Sequence, residues 1–503
     1  MVIIPSRCLM TQVLPCSPYS KAAMQKDKWF SMIHRANSCH FSLQNEVPES
    51  QESSDDTLQC QLASLELHKW PASDRGDSKG YLYRLDEAFG GDTTMKTFPT
   101  IIRVAPVLFS YLNLVYGGTV DRQESTCTVH ASDDSSDDAP AIVNAFEMCG
   151  QGGQILLHDD LYNIETIMNT TGLKDVVVDL TGTLLWGTNI TYFRANSLPL
   201  GYQNQSTAWV FGGDNVTFNG HGIGTFDGNG QIWYDFNNGR SNLAGRPINL
   251  MIANTTASHF DGIRFVQSQF WSMAIRDSVD VLLENIYVNS TSNSSASTVN
   301  TDGVDTFFSD RITFRNWSVT CGDDNISTKA NSTNILIQDA VFHGGTGIAI
   351  GSIGQMLDHF ETIENVTAER VTVMGSAFAA YIKTFTGVQL GGGGGLGFAK
   401  NLTFRDFTVN QLRNAVAHIE QCTSFEGDAG DCDTSLFQIS DITWSSITGS
   451  VAGGTLASFQ CSGSAPCPGI ELVDLDQVTT QGSRNITCSN VVNPVGFDCT
   501  QGS

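Results

Sequence analysis

The chain has 503 residues, of which 41% are hydrophobic and only 16% are charged, so it is a globular chain and not a disordered one. Its formal net charge of -25 would repel nucleic acid and anionic membranes, and we expect neither as a partner. An anionic substrate would need a locally basic site. No run of 18 uninterrupted apolar residues occurs, so the sequence predicts no transmembrane helix.

The N-terminal part of the chain differs from the rest. Residues 1–94 lack a signal peptide at Met1 and lack clear periodicity, and they are either a disordered extension or an artefact of the gene model. Residues 95–117 place Lys96 before a mostly apolar stretch and end in small residues, a pattern typical of a secretory signal peptide. The alternative is a buried strand or helix. The folded domain is therefore predicted to span residues 118–503.

Two further patterns favour a secreted, extracellular protein. The first is a high density of Asn-x-Ser/Thr sequons. They are Asn169, Asn189, Asn204, Asn215, Asn254, Asn289, Asn293, Asn316, Asn325, Asn331, Asn365, Asn401 and Asn485. The second is a set of cysteines at short loop spacings, which suits an oxidising compartment. The pairs suggested by spacing are Cys127/Cys149, Cys422/Cys432, Cys461/Cys467 and Cys488/Cys499, which leaves Cys321 as a free, buried thiol.

Short alternating apolar segments recur along the chain, each followed by a polar turn. Their starts at Val281, Ile312, Ile335, Val366 and Leu402 fall 31, 23, 31 and 36 residues apart. Such periods are typical of solenoids and propellers, and the segments are too short for a blade of four strands. Helical periodicity is nearly absent. The sequence therefore predicts an all-β fold, a parallel β-helix, with a β-sandwich as the alternative.

One helix is expected near Asp138–Cys149, where the pattern is amphipathic. The first coil of a β-helix exposes unpaired backbone groups at its open end. A short helix at this point of the chain would cover that end.

Three carboxylates are the strongest candidates for chemistry. Asp302 and Asp323 are 21 residues apart, about one coil, so they would stack as neighbours at about 4.8 Å on one outer face. Asp324 would then point inward at high cost, so we expect a strand end or a bulge at Gly322–Asp324. Clustered carboxylates raise one another's pKa, which supplies both an acid and a base. The alternative is an exposed acidic turn or a calcium site.

The order of the motifs carries a resemblance to a known family. Asn300-Thr301-Asp302-Gly303, Gly322-Asp323-Asp324, Gly351-Ser352 and Ile382-Lys383 follow one another along the chain. From about Thr119 to its C-terminus, the chain resembles glycoside hydrolase family 28, the polygalacturonases and their exo-acting and rhamnogalacturonan-directed relatives. The resemblance implies a right-handed, single-stranded, pectin-lyase-like β-helix. It also implies an inverting enzyme without cofactor or metal, which we expect to be a monomer.

The resemblance also implies roles for single residues. Asp323 would be the general acid, while Asp302 and Asp324 would activate the water. Asn300 would position the base or the sugar, and Lys383 would bind a substrate carboxylate or hydroxyl. For Asn300 and Lys383 the alternative is an exposed solenoid residue.

Two positions depart from the family pattern. The family usually has Gly-His-Gly where this chain has Gly345-Thr346-Gly347, and Thr346 cannot titrate near neutral pH. His343 is nearby in sequence, but we expect it to be a turn residue. The family usually has Arg-Ile-Lys where this chain has Tyr381, which cannot grip a carboxylate bidentately but could stack on a neutral sugar. Thr346 and Tyr381 are therefore candidate substrate-binding residues.

These features leave several functions open. The first hypothesis is an exo-acting pectin hydrolase that releases terminal galacturonate. The close alternative is an α-L-rhamnosidase or exo-rhamnogalacturonan hydrolase. Long excursions at Tyr192–Val210 and Tyr234–Leu250 resemble the loops that close one end of the cleft in exo enzymes. A pectate lyase and a non-catalytic sugar-binding β-helix are further alternatives, and Trp271 is either a sugar platform or a core aromatic residue.

Overall fold

The computed structural model describes residues 117–388, 392–424 and 431–500. The predicted extension (1–94) and nearly all of the predicted signal peptide (95–117) lie outside the described residues, so these boundaries stay predictions. Among the described residues, every helix is too short or too polar to cross a membrane.

Short strands make up most of the described chain, with few helices. The strands of the first half are β1 (Thr119–Gln123), β2 (Thr126–His130), β3 (Gln154–Leu157), β4 (Leu161–Ile164), β5 (Met168–Leu180), β6 (Thr183–Trp186), β7 (Leu198–Pro199), β8 (Ser206–Asn219), β9 (Thr225–Asp227), β10 (Pro247–Ala253), β11 (Thr256–Asp261), β12 (Arg264–Val266), β13 (Met273–Arg276), β14 (Val279–Glu284), β15 (Tyr287–Asn289), β16 (Val304–Phe307) and β17 (Asp310–Arg315).

The strands of the second half are β18 (Ser318–Cys321), β19 (Asp324–Thr328), β20 (Ser332–Gln338), β21 (Val341–Gly344), β22 (Gly347–Ile353), β23 (Phe360–Glu369), β24 (Thr372–Met374), β25 (Phe378–Phe385), β26 (Leu396–Leu412), β27 (Ala415–Thr423), β28 (Gln438–Val451), β29 (Thr455–Gln460), β30 (Cys467–Pro468), β31 (Ile470–Val473), β32 (Val478–Thr479), β33 (Asn485–Ser489) and β34 (Val491–Val492). The helices are α1 (Ala139–Cys149), α2 (Ile190–Asn196), α3 (Gln231–Asn237) and one 3-10 turn at Cys432–Thr434.

The strands stack into three parallel sheets that wind around one axis. Sheet I contains β10, β13, β16, β19, β22, β25, β27 and β29, each paired with the next. Sheet II runs from β11 through β14, β17, β20 and β23 to β26, and sheet III from β9 through β12, β15, β18 and β21 to β24. Successive strands of the chain thus belong to different sheets, and each pairs with its counterpart one coil later. The fold is a right-handed parallel β-helix, which confirms the predicted class.

The periodicity that predicted the coils is also what fills the interior. Val281 of β14 is in register with Ile312 of β17, and Leu283 is in register with Phe314. All four side chains are at most 1% exposed, while the residues between them face outward. Because alternate residues of a strand point to opposite faces, a segment with apolar residues at every second position lays one continuous apolar row inside the solenoid.

Asparagine and aspartate occupy the corners of the coils. Asn285 and Asn316 both have φ of 56°, in the left-handed region that short polar side chains tolerate best after glycine. Because the corners stack, the amide of Asn316 donates to Oδ1 of Asn285 at 2.6 Å, and that of Asn401 donates to Oδ1 of Asn365 at 2.6 Å. The Asn-rich turns therefore fix where each coil bends.

The predicted helix and the predicted disulfides are both confirmed. Helix α1 lies on the first coil, where Phe146 contacts the rings of Trp209 and Phe211 at 6.0 and 5.8 Å between centroids. The disulfides are Cys127–Cys149, Cys422–Cys432, Cys461–Cys467 and Cys488–Cys499. Cys321 is a free and buried thiol, as expected.

Candidate active site

The three predicted carboxylates meet where two neighbouring strands of sheet I, β16 and β19, begin. Asp302 precedes β16, Asp323 lies at the corner between β18 and β19, and Asp324 opens β19. One oxygen of each lies within 4.8 Å of an oxygen of the other two. Asp302 and Asp324 are only 3% and 2% exposed, and Asp323 is half-buried. The predicted proximity of Asp302 and Asp323 is confirmed.

A bulge in β19 turns Asp324 toward this cluster. Asp324 is in register with Gly347 of β22, whereas Ile326 is in register with Ile348, so Asn325 is an extra residue. Ile326 faces the interior, and a regular strand would have sent Asp324 inward with it. The structure thus confirms the predicted strand end and irregularity.

Asn325 itself turns inward at the bulge. Its Oδ1 accepts from the backbone N–H of Gly347 at 2.9 Å, and its amide donates to the sulfur of Cys321 at 3.5 Å. The side chain is completely buried. Asn325 is one of the thirteen predicted glycosylation sequons, but its side chain is buried and supports the site, so it is not accessible for glycosylation.

Burial and mutual repulsion set the protonation of the carboxylates. Burial, followed by the charge of Asp324, raises the pKa of Asp323 to about 6. Burial and the charge of Asp323 raise the pKa of Asp302 well above its ordinary value. A carboxyl that keeps its proton in mildly acidic solution can donate it to a leaving oxygen, which is the behaviour required of a general acid.

A buried ion pair lies beside the cluster, and the sequence reasoning missed it. Nζ of Lys329 is 3.4 Å from Oδ1 of Asp305 and donates to the carbonyl of Gly351 at 3.2 Å. Burial lowers the pKa of Lys329, but Asp305 and Asp324 outweigh that effect and raise the pKa above its usual value. The signal was present, because Asp305 and Lys329 each carry a charge at or beside an otherwise buried strand.

Asn300 connects Asp323 to an excursion of the chain. Its amide donates to Oδ2 of Asp323 at 3.0 Å. Its own Oδ1 accepts from the backbone N–H of Asn242 at 2.8 Å and from the hydroxyl of Ser241 at 3.3 Å. Both of those residues belong to the predicted excursion between Tyr234 and Leu250.

The other excursion runs past the ends of several coils. The hydroxyl of Tyr202 donates to Glu361 at 2.8 Å, and the amide of Gln203 donates to Gln355 at 2.8 Å. The two excursions also touch, since the amide of Gln205 donates to Asn242 at 3.1 Å. Two segments from the early coils therefore border the carboxylate site.

The remaining predicted site residues come from neighbouring strands of sheet I. Lys383 is in register with Gly351 and with Glu420, and it interacts electrostatically with Asp323. The hydroxyl of Tyr381 donates to Oδ1 of Asp324 at 2.5 Å, and the hydroxyl of Thr346 donates to the same oxygen. All seven predicted site residues are thus brought together.

Two other residues from the sequence analysis lie elsewhere. His343 is exposed on β21 of sheet III and does not join the site. Trp271 is 2% exposed and stacks on Phe270 and Phe307, with centroids 5.0 and 6.1 Å away. It is a core aromatic residue that packs against the ammonium of Lys329, 5.5 Å from its ring centroid.

An arginine also lies near the carboxylates. Arg246 is fully buried and donates to the carbonyl oxygens of Gln269 and Val299. Burial lowers its pKa to about 10, partly offset by the charges of nearby acids that include Asp302 and Asp323. Held between backbone carbonyls, it fixes the segment that leads into Asn300.

The chain is similar to a family of known proteins. Residues 165–499 match the model of the family described as glycosyl hydrolases family 28. The chain is 46% identical over 375 residues to alpha-L-rhamnosidase rgxB of Aspergillus niger, covering 72% of this chain and 87% of the relative. It is 31% identical over 393 residues to exopolygalacturonase X-1 of Emericella nidulans, covering 76% and 89%.

A solved structure shares the fold. It is the endo-xylogalacturonan hydrolase of Aspergillus tubingensis, with a TM-score of 0.67 at 24% identity, covering 75% of this chain and 99% of that one. At this identity the match supports the β-helix architecture and nothing finer.

Proposed function

The chain belongs to glycosyl hydrolase family 28 and is a glycoside hydrolase, and we propose that it is a secreted, exo-acting, inverting enzyme that removes terminal α-L-rhamnose from pectin-type polysaccharide. One observation carries the choice of sugar. Where the family pattern has His and Arg, this chain has Thr346 and Tyr381, whose hydroxyls are engaged by Asp324. The similarity to an alpha-L-rhamnosidase supports the same choice.

In the proposed mechanism Asp323 donates its proton to the glycosidic oxygen as the bond from that oxygen to the anomeric carbon breaks. A water held between Asp302 and Asp324 attacks the opposite face of the sugar. Asp324 takes the proton of that water, because the strongly raised pKa of Asp302 keeps that carboxyl protonated. The products are a free sugar of inverted anomeric configuration and a shortened chain end.

Exo action is supported by the two excursions beside the site. One touches Asn300 through Asn242, and the other is fixed to Glu361 through Tyr202. A polymer that ran through the site in both directions would have to displace these hydrogen bonds. A chain end needs access from one direction alone.

Terminal galacturonate is the second candidate sugar, and Lys383 favours it. Its ammonium sits beside Asp323 and could pair with the carboxylate of a uronic acid. The similarity to an exopolygalacturonase supports this alternative. A pectate lyase and a non-catalytic binder are both less favoured in a glycoside hydrolase that keeps three clustered carboxylates.

The test uses the full chain with three substrates: an aryl α-L-rhamnoside, rhamnogalacturonan oligomers and polygalacturonic acid. Products are resolved by chromatography, with Asp324→Asn, which lacks the proposed base, as the inactive control. Rhamnose released by the parent enzyme alone would support the proposal. Galacturonate without rhamnose would move the assignment to the second candidate, and unsaturated products would indicate a lyase.

A further inference from the structure

The two positions at which this chain departs from its family pattern meet on a single atom. The hydroxyl hydrogens of Thr346 and Tyr381 both point to Oδ1 of Asp324, with 2.5 Å from the tyrosine oxygen. Thr346 lies just before β22 and Tyr381 lies in β25, so the donors come from two successive coils of sheet I. Two separate replacements thus serve one carboxylate.

Thr346 is fixed by its glycine neighbours. Its backbone N–H donates to the carbonyl of Asp323 at 2.8 Å, and its carbonyl accepts from the N–H of Phe378 at 3.0 Å. A Cβ at Gly345 would lie 2.5 Å from the carbonyl oxygen of Asp323, and a Cβ at Gly347 would lie 2.3 Å from that of Phe378. Only glycine on both sides lets the backbone at Thr346 lie this close to the coils before and after it.

Tyr381 is held just as firmly. It is in register with Ala349 of β22, a small residue that leaves the ring room beside Asp324. Its ring contacts that of Phe378, 5.1 Å between centroids, and Phe378 stacks on His418 at 4.5 Å. Burial and the charge of Asp324 raise the pKa of Tyr381 well above its ordinary value, so its hydroxyl stays a donor at every working pH.

We propose that Thr346 and Tyr381 form one clamp that holds the carboxylate of Asp324 in its water-activating orientation, and that this clamp spares the sugar site a further cation beyond Lys383. Both hydroxyls occupy Oδ1, which leaves Oδ2 for the water. Neither hydroxyl brings a charge, whereas His and Arg would. The clamp rests on the proposed hydrolase function, and it gives the two residues that replace the family's His and Arg a role toward the base.

Several charged or titratable groups surround Asp324 and share its electrostatic environment. They are Asp302, Asp305, Cys321, Asp323, Lys329, Tyr381 and Lys383. None of them is altered by Thr346→Val, which removes a single hydroxyl at nearly constant volume. Tyr381→Phe removes the other hydroxyl and keeps the ring contact with Phe378.

The experiment measures kcat and KM for Thr346→Val, Tyr381→Phe and the double variant. Each single variant is expected to lose about tenfold to a hundredfold in kcat, the range for one hydrogen bond to a charged group. KM is expected to change little. The double variant is expected to lose less than the product of the single losses, because the donors share one acceptor.

Matched controls separate a catalytic from a structural role. Thr346→Ser keeps a hydroxyl and is expected to retain most of the parent kcat. Thr333→Val removes a threonine hydroxyl that donates to Asp310 at 2.7 Å, the same kind of contact on sheet II, and is expected to leave the kinetics unchanged. Thermal unfolding of every variant identifies any that fail to fold.

The leaving group gives a second readout. Water activation is needed whatever group departs. The clamp variants are therefore expected to lose the same factor in kcat on an aryl α-L-rhamnoside and on rhamnogalacturonan oligomers. Asp323→Asn, which removes the acid, is expected to lose far less kcat on the activated aryl substrate than on the oligomers.

Three results would overturn the clamp: folded variants with parent kcat, a change confined to KM, or losses that multiply in the double variant. If the parent enzyme releases galacturonate and no rhamnose, the proposed sugar is wrong and so is the statement that the clamp serves a neutral sugar. The orienting role is then decided by the same comparison of kcat and KM, measured on the galacturonate substrate.

Discussion

The ammonium of Lys329 is a buried positive charge beside the catalytic carboxylates, and Lys329→Met removes it while keeping a chain of similar length. In the parent, Nζ lies 3.4 Å from Asp305, donates to Gly351 and packs over Trp271. Asp305 is completely buried and would be left without its counter-ion. We therefore expect Lys329→Met to lower stability and to shift the pH range of activity upward.

The size of the effect follows from the distance. Two unit charges 3.4 Å apart interact by about 5 kcal/mol at an effective dielectric constant of about 20. Removing one partner of a buried pair usually costs about 3–5 kcal/mol. Unfolding entropy of about 2.1 cal/mol/K per residue gives about 0.8 kcal/mol/K for a domain of roughly 380 residues. The melting temperature should therefore fall by about 4–6 °C.

Calorimetry at about pH 8, above the pKa of about 7 of Asp305, of the parent, Lys329→Met and the double variant Lys329→Met/Asp305→Leu provides the assay. The double variant replaces both charges by apolar groups and is expected to recover much of the lost stability, since the stranded carboxylate is gone. Lys329 lowers the pKa of both Asp305 and Asp323, so its loss should also move the basic limb of activity to higher pH. A melting temperature within about 1 °C of the parent, or a double variant no better than the single one, would refute the reasoning.

Three more predictions follow from burial at the site. With the pKa of Asp323 near 6, kcat/KM should fall above about pH 6, and a pH–rate profile flat to pH 8 would contradict its role as the acid. Burial raises the pKa of Asp305 to about 7. Asp305 and Asp323 therefore both stabilise the folded state when they are protonated, fully so below about pH 4, and this stabilisation is lost as the pH rises through 6 to 7. Urea midpoints at pH 4 to 8 measure this, and Asp305→Asn should flatten the trend. In a glycosylating host, peptide mass spectrometry should find Asn325 unmodified, and a glycan there would rule out its buried position.

Asn300 belongs to the same group of predictions. Asn300→Ala removes its hydrogen bonds to Asp323 and Asn242, and we expect about a tenfold loss in kcat with little change in melting temperature. Unchanged kinetics in the folded variant would assign Asn300 a purely structural role.

Much of the architecture was predictable because it is periodic. Apolar residues at every second position, repeated once per coil, indicate strands that bury one face, and five such segments were enough to predict a β-helix. The same logic placed Asp302 beside Asp323, and it required a bulge at Asp324 because an inward carboxylate is too costly. The order of the motifs then indicated the family.

The sequence by itself determined the coil, the three carboxylates and the irregularity that aims them, because each follows from spacing along one strand or from one coil to the next. Only the tertiary structure decided which side chains meet across coils. The convergence of Thr346 and Tyr381 on one oxygen, the pairing of Lys329 with Asp305 and the contact of Asn242 with Asn300 all depend on turn lengths, which set how far each strand is displaced along its neighbour. Spacing in the sequence does not encode that displacement, because the turns differ in length from coil to coil.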